Sequence, residues 1–197
     1  MIDSQAKKMI SITSLTPLIY DFFAHVEQNN IELYNEFSFQ HELGIYLRNK
    51  LPRYQVQFER NISFLSHCKD TVKREIDISV FSPDMSERFA IELKFPLNGQ
   101  YPEQLYSFAK DIKFMEQVKS LGFQHTYCVS LVADRPFYSG QNNHGIYAYF
   151  REKHEVSGRI YKPTGNGKNS NYIELNGNYP FKWESLSHFR KFYCIEI

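Results

Sequence analysis

The sequence predicts an α/β domain with a mixed β-sheet flanked by helices. Residues 14–28 and 102–121 place apolar side chains three and four residues apart, as amphipathic helices do. Three segments between these helices alternate apolar and polar residues, which is typical of half-buried strands. A continuous β-rich run at 126–132 follows the second of these helices. A strand, a helix and a further strand in this order indicate a crossover between parallel strands.

The helices have recognisable ends. The first has Ser14 available as a cap and Pro17 inside its first turn. A further helical pattern runs from 39 to 51, with either Ser38 or Asn35 as its cap and Pro52 after it. The helix over 102–121 begins at a proline and stops at a glycine. We therefore expect three helices of three or more turns.

The alternating segments are 56–59, 76–80 and 90–95, and a turn at 82–86 joins the last two into an antiparallel hairpin. Beyond Pro136 the chain is aromatic and rich in turns, and we expect strands at 146–150, 159–162, 172–175 and 192–195. The prediction is a single domain. It comprises an N-terminal helical segment (1–36), a core (37–134) and a β-rich C-terminal extension (135–197).

Composition excludes several classes of function. Lys and Arg number 23 and Asp and Glu 22, a net charge of +1, so a polyanionic partner must meet a local patch. Cys68, Cys128 and Cys194 are odd in number and unpaired in spacing, which is untypical of a disulfide framework or a structural zinc site. No apolar run reaches the roughly 18 residues that a membrane span needs. We expect a cytoplasmic protein with no membrane partner.

Three charged side chains on neighbouring strands carry the candidate chemistry. Glu92 and Lys94 point to one face of an alternating strand, and Asp77 occupies the matching face of the preceding strand. Two carboxylates a few ångströms apart repel each other unless a proton or a cation lies between them. Hard oxygen ligands favour Mg²⁺, with Mn²⁺ as a substitute, and a neighbouring lysine suits phosphodiester hydrolysis.

The order of these residues resembles the PD-(D/E)xK nuclease superfamily. An acid on an early helix (Glu42), Asp77 on one strand and the triplet 92–94 on the next are followed by a helix and a further strand. The resemblance covers residues 37–133 and implies a restriction-endonuclease-like mixed sheet. The chain departs from the motif at Ile76, which stands where the family has its proline.

The resemblance implies a role for each strand residue. Asp77 and Glu92 would be metal ligands, together with the backbone carbonyl of Leu93, and Lys94 would orient the attacking water. The implied function is a Mg²⁺-dependent deoxyribonuclease that leaves a 5′-phosphate, acting as a restriction, defence or repair endonuclease.

The resemblance also implies two helix residues. Glu42 would assist the attacking water or a second metal ion. Gln104 matches a glutamine that some branches place beside the site, although Phe108 stands where a tyrosine is common. A second interpretation of Gln104 stays open, namely an ordinary first-turn helix residue.

The C-terminal region offers candidate nucleic-acid contacts in Arg159, Lys162 and Lys168, near Tyr161 and Tyr172. The alternative is a solvated loop. For the whole chain, the alternative to a nuclease is a catalytically inactive nucleic-acid-binding or protein-interaction module that keeps the core. We expect DNA as the partner, and a homodimer or a protein partner stays open.

Overall fold

The computed structural model describes residues 12–64 and 71–197. Residues 1–11 and Cys68, which the sequence predictions include, lie outside the described residues. The helices are α1 (Thr16–Gln28), α2 (Glu36–Lys50), α3 (Tyr101–Ser120) and the short α4 (Ile146–Ala148). The strands are β1 (Gln55–Asn61), β2 (Glu75–Phe81), β3 (Arg88–Lys94), β4 (His125–Val132), β5 (Glu155–Tyr161), β6 (Tyr172–Pro180), β7 (Glu184–Ser185) and β8 (Lys191–Glu196).

The main sheet has six strands in the order β1-β2-β3-β4-β8-β7. Strands β1, β2 and β3 pair antiparallel, and β3 pairs parallel with β4 because α3 carries the chain across one face of the sheet. The predicted α/β class, the hairpin and the crossover to a mixed sheet are confirmed. Strand β8 pairs antiparallel with β4, so the last strands of the chain complete the main sheet.

Helices cover both faces of the main sheet. The face of β3 that carries Ile91 and Leu93, together with Phe95 directly after the strand, packs with α1 and α2 in one apolar cluster. Ala90 and Cys128 lie in the other cluster, which contains the buried side chains of α3 and of the β5–β6 hairpin. The alternation predicted for β3 is therefore confirmed, and its polar positions lie on the α3 side.

Helix α2 begins at Glu36 because Asn35 caps it. The Ser38 backbone N–H donates to Asn35 Oδ1 at 2.7 Å, and the Asn35 backbone N–H donates to Ser38 Oγ at 3.0 Å. This reciprocal pair is a capping box. Of the two caps that the sequence left open, Asn35 is the N-cap, and the helix therefore includes Glu36 in its first turn.

The strand predicted at 146–150 is wrong, because this segment forms α4 and a following π-helical turn, Tyr149–Lys153. Ile146 and Phe150 are both buried in the α3-side cluster, and their spacing of four residues matches one face of a helix. The strands predicted at 159–162, 172–175 and 192–195 correspond to β5, β6 and β8. The loop 162–171 joins β5 and β6 into a separate two-stranded sheet.

No helix among the described residues combines the length and the apolar character that crossing a membrane requires.

Candidate active site

The candidate site lies where β2 and β3 stop pairing with each other. Their register ends at the pair Ile78–Ile91, and Asp77 and Glu92 are the next residue on each strand beyond this pair. Beyond this pair, the backbone N–H of Leu93 donates to Asp77 Oδ2 at 2.7 Å. The Asp77 carboxylate thus supplies the acceptor that a neighbouring strand would otherwise supply.

Strand β1 and helix α2 hold Asp77 from the other side. Glu59 has a left-handed backbone conformation (φ 49°), and it lies in β1 between the pairs Phe58–Ile78 and Arg60–Ile76, opposite Asp77. The side-chain amide of Gln40 donates to Glu59 Oε1 at 2.5 Å and to the Asp77 carbonyl at 2.8 Å. A strained residue inside a strand is typical of functional sites.

Glu92 reaches the α3 side of the sheet and approaches an acid that the sequence did not predict, Asp111. Both residues are only 2% exposed. The Lys73 ammonium group contacts Glu92 Oε1 and lies 2.6 Å from Asp111 Oδ1. Two buried carboxylates therefore share one lysine, whose own side chain is 31% exposed.

Lys94 links this acid pair to the start of α2. Its Nζ lies 3.2 Å from Glu36 Oε1 and 3.8 Å from Asp111 Oδ2, and it donates to the Leu93 carbonyl at 3.0 Å. The other oxygen of Glu36 accepts from the Phe95 backbone N–H at 3.0 Å. Glu36 therefore fixes both the lysine and the end of β3.

The helix acid at this site is Glu36, where the sequence prediction placed Glu42. Residues advance by about 100° around an α-helix, so Glu42 lies roughly 120° from Glu36 and 160° from Gln40 around α2. Glu36, Phe37 and Gln40 line a small cavity of about 190 Å³ that opens beside Asp77. We therefore correct the assignment of the helix acid from Glu42 to Glu36.

Gln104 lies in the first turn of α3, as predicted, two turns before Asp111 on the same side of the helix. Its side-chain amide donates to Asn98 Oδ1 at 2.9 Å, in the loop that follows β3. The described contact thus supports the ordinary interpretation of Gln104, a helix residue that fastens a loop.

Burial raises the pKa values of all three acids. Burial raises the pKa of Asp77 to about 6. The Leu93 N–H and Lys94 favour the charged carboxylate and so lower this pKa, but burial has the larger effect. Burial raises the pKa of Glu92 well above its usual range, and the neighbouring Asp111 and Asp77 raise it further. Burial also raises the pKa of Asp111, and the two lysines only partly counter this effect.

Burial alone would lower the pKa of Lys94, but the carboxylates of Asp111, Glu36 and Glu92 together outweigh it and the net direction is upward. The pKa of Lys73 also rises, because Asp111 and Glu92 together outweigh burial. Both lysines are therefore cationic at neutral pH, and the site contains two cations between its acids.

The donor chemistry of these residues fits a divalent cation. Glu92 Oε2 and Asp111 Oδ2 are buried carboxylate oxygens with no hydrogen-bond donor within the described residues. Such oxygens are costly to bury unless a cation or a proton neutralises them. In the described residues no three Asp, Glu, His or Cys side chains converge closely enough to hold a metal ion alone. The predicted ligand set needs only two side chains, those of Asp77 and Glu92. Its third donor is the backbone carbonyl oxygen of Leu93.

The predicted nucleic-acid contacts lie apart from this site, on the β5–β6 hairpin. The Arg159 guanidinium donates to Glu174 Oε1 at 3.2 Å and lies 4.3 Å from the ring centroid of Tyr172. Lys162 Nζ donates to the Asn166 carbonyl at 3.0 Å and so shapes the loop. Arg159 and Lys168 line a cavity, whereas Lys162 is not among its lining residues.

Sequence reasoning missed Lys73, Asp111 and Glu36. Asp111 had a readable signal, since it is a charged residue beside Ile112 on the apolar side of a strongly patterned helix. Lys73 lies outside every motif, and finding Glu36 required the correct helix start.

Comparisons with protein-family models, with curated proteins and with solved structures find no match for this chain.

Proposed function

We propose that this protein is a metal-dependent nuclease that hydrolyses phosphodiester bonds of DNA, with an active site of the PD-(D/E)xK type. The observation that carries the proposal is that two buried acids, Glu92 and Asp111, share Lys73 beside Lys94. Asp77 accepts from the backbone N–H of Leu93, the residue between Glu92 and Lys94. Two of these acids have buried oxygens that lack a hydrogen-bond donor within the described residues. Such oxygens are costly to bury without a cation or a proton, and a bound metal ion would neutralise them.

Asp77, Glu92 and the Leu93 carbonyl would hold Mg²⁺ or Mn²⁺, and Asp111 would add negative charge beside this ion. The bound ion would polarise the scissile phosphate and lower the pKa of a bound water. The residues themselves supply hard oxygen donors, which is the chemistry that these two ions prefer.

Lys94 would orient the attacking water and stabilise negative charge on the phosphoryl oxygens. Its ammonium group is held at two points, by Glu36 Oε1 and by the Leu93 carbonyl. Glu36 therefore acts as a positioning residue for Lys94. The small cavity beside Asp77 offers a phosphate group access to Asp77 and Glu36 near the end of β3.

Lys73 favours the alternative function. Its ammonium group already contacts Glu92 and Asp111, so a catalytically inactive binding module could keep these acids neutralised with no metal ion. In the nuclease, the Lys73 ammonium group must move away from Glu92 when the metal ion binds. The partial exposure of its side chain gives the ammonium group a path to solvent.

A cleavage assay tests the proposal. Plasmid and oligonucleotide DNA are incubated with the parent protein and either Mg²⁺ or Mn²⁺, and the products are examined for a 5′-phosphate. We expect Asp77→Asn and Lys94→Ala each to lower the cleavage rate by a factor of about 100 or more, since each removes a group that acts on the reacting phosphate.

The matched control is Glu42→Gln, compared with Glu36→Gln. The Glu36 variant is expected to lose about tenfold in rate through a misplaced Lys94, whereas the Glu42 variant cleaves at the parent rate. A parent protein that cleaves neither substrate with either ion would contradict the nuclease and favour the binding module. If only the Glu42 variant lost activity, Glu42 would be the acid of α2 that acts in the site, as the sequence predicted.

A further inference from the structure

A second cavity, of about 600 Å³, lies on the α3 side of the main sheet. Its walls come from three places, namely the β5–β6 hairpin with its loop, the segment 142–149, and Pro102 in the first turn of α3. The side chains that matter for binding are two cations, a histidine and three aromatic rings: Arg159, Lys168, His144, Tyr147, Tyr149 and Tyr161.

The cavity favours an anion. None of the residues that line it, all within the described part of the chain, is Asp or Glu. Two acids lie nearby, and both are engaged: Glu174 accepts from Arg159, and Glu103 accepts from the Thr164 hydroxyl. The lining itself therefore carries two cations and no acid, and Glu174, which lies outside the lining, pairs with Arg159.

The aromatic rings narrow the class of anion. Tyrosine rings beside cationic side chains are the combination that binds single-stranded nucleic acid, because bases stack on the rings while lysine and arginine meet the phosphates. A cavity of this volume lies within the range of small-molecule sites and can enclose a nucleotide. The bases of an intact duplex are stacked on one another and cannot enter it.

Helix α3 connects the cavity to the candidate active site. Pro102 lines the cavity, and Asp111 lies nine residues further along the same helix. At about 1.5 Å per residue this separation along the helix axis is roughly 14 Å. One strand of DNA is long enough to reach both places.

We propose that this cavity binds a nucleotide of single-stranded DNA, with the base against the tyrosine rings and the phosphate at Arg159 and Lys168. The strand then continues along α3 to the acids. The path of the strand from the cavity to the acids rests on the proposed nuclease function, whereas the binding of a nucleotide in the cavity does not. The inference names the substrate of that site as a strand with unpaired bases.

Fluorescence anisotropy with labelled dT12 in EDTA tests the proposal, since EDTA removes cleavage from the measurement. We expect Tyr161→Ala to raise the Kd for dT12 about tenfold, whereas Tyr161→Phe, which keeps the ring, stays within about twofold of the parent. Lys168→Glu is expected to raise the Kd about fivefold or more, and Lys50→Glu, on α2 at the opposite face of the sheet, to leave it within about twofold. A 12-base-pair duplex should bind about tenfold more weakly than dT12.

Equal affinity for dT12 and duplex, no binding of dT12, or equal affinities of Tyr161→Ala and Tyr161→Phe would each overturn the cavity proposal. Thermal melts of each variant separate local effects from unfolding, and Lys168→Glu serves as the second variant if Tyr161→Ala melts early. The two proposals fail separately. A parent that cleaves DNA while Tyr161→Ala binds dT12 normally refutes the cavity alone, and tyrosine-dependent binding without cleavage refutes the nuclease alone.

Discussion

The acid site and the hairpin cavity place their charges in opposite ways. At the acid site, Glu92 and Asp111 are almost fully buried and Lys94 is held by two oxygens. At the cavity, Arg159 and Tyr161 are about half exposed, and loops form part of its walls. The difference matches two tasks. Chemistry at a phosphate needs groups fixed before the substrate arrives, whereas holding a strand of varied sequence tolerates adaptable contacts.

The largest expected effect comes from removing the lysine between the buried acids. Lys73→Met should lower the free energy of unfolding in EDTA by roughly 3 kcal/mol, because Glu92 and Asp111 lose their shared cation. Mn²⁺ should restore most of that stability, and its Kd should fall about tenfold relative to the parent, because no ammonium group competes for the acids. Urea unfolding with and without Mn²⁺ measures both.

Lys162→Met, in the hairpin loop, is the control, and its free energy of unfolding should change by less than about 0.5 kcal/mol. If Lys73→Met were as stable as the parent in EDTA and unaffected by Mn²⁺, the acids would not need a cation, and the contrast between the two regions would be lost.

The next effect is a pH dependence at Asp77. Its carboxyl group releases a proton near pH 6 in the folded protein, against an ordinary pKa of 3.8. The folded state therefore binds more protons between these values, and the parent loses stability relative to Asp77→Asn as the pH rises from about 4 to about 7. The gain of the variant over the parent should reach roughly 3 kcal/mol in EDTA at pH 7.

Glu174→Gln, at the exposed hairpin, is measured in parallel as the matched variant. Urea unfolding at four pH values between 4 and 7 makes the comparison. A stability difference between parent and Asp77→Asn that stays constant over this range would show that the Asp77 carboxyl is not held in the buried environment described.

The smallest effect concerns the cap that starts α2. Asn35→Ala removes the acceptor for the Ser38 N–H and should lower the free energy of unfolding by about 1 kcal/mol. Because this cap places Glu36 beside Lys94, the cleavage rate should also fall a few fold. Asn166→Ala, in the exposed hairpin loop, is the control for both measurements. If Asn35→Ala cleaved DNA at the parent rate, the proposal that Glu36 positions Lys94 would be contradicted.

The sequence predicted those parts of the fold that depend on local periodicity. The hairpin of β2 and β3, helix α3 and the buried strand β4 all follow patterns of two or of three to four residues, and the structure contains each of them. The strand predicted at 146–150 was wrong because a spacing of four residues between Ile146 and Phe150 fits both a strand and a helix. Burial against α3 selected the helix.

The site was predictable only where it lies on strands. Glu92 and Lys94 follow from the alternation of β3, but β2 does not alternate regularly at Asp77, since Ile76 lies in the α3-side cluster and Ile78 in the other. Asp111 arrives from a helix whose rotation about its axis is decided by packing. Lys73 comes from a segment with no periodic pattern, and Glu36 depends on which of two caps begins α2. These three residues are brought to the strands by tertiary contacts, which a linear pattern does not encode.

A thermal melt of the parent and of Asp77→Ala at millimolar Mn²⁺ shows most directly whether the acids bind a metal ion. We expect Mn²⁺ to raise the Tm of the parent by several degrees, since an ion bound only by the folded state stabilises it, and Asp77→Ala to show no rise. An unchanged Tm of the parent at the same concentration would contradict a metal ion bound among these acids.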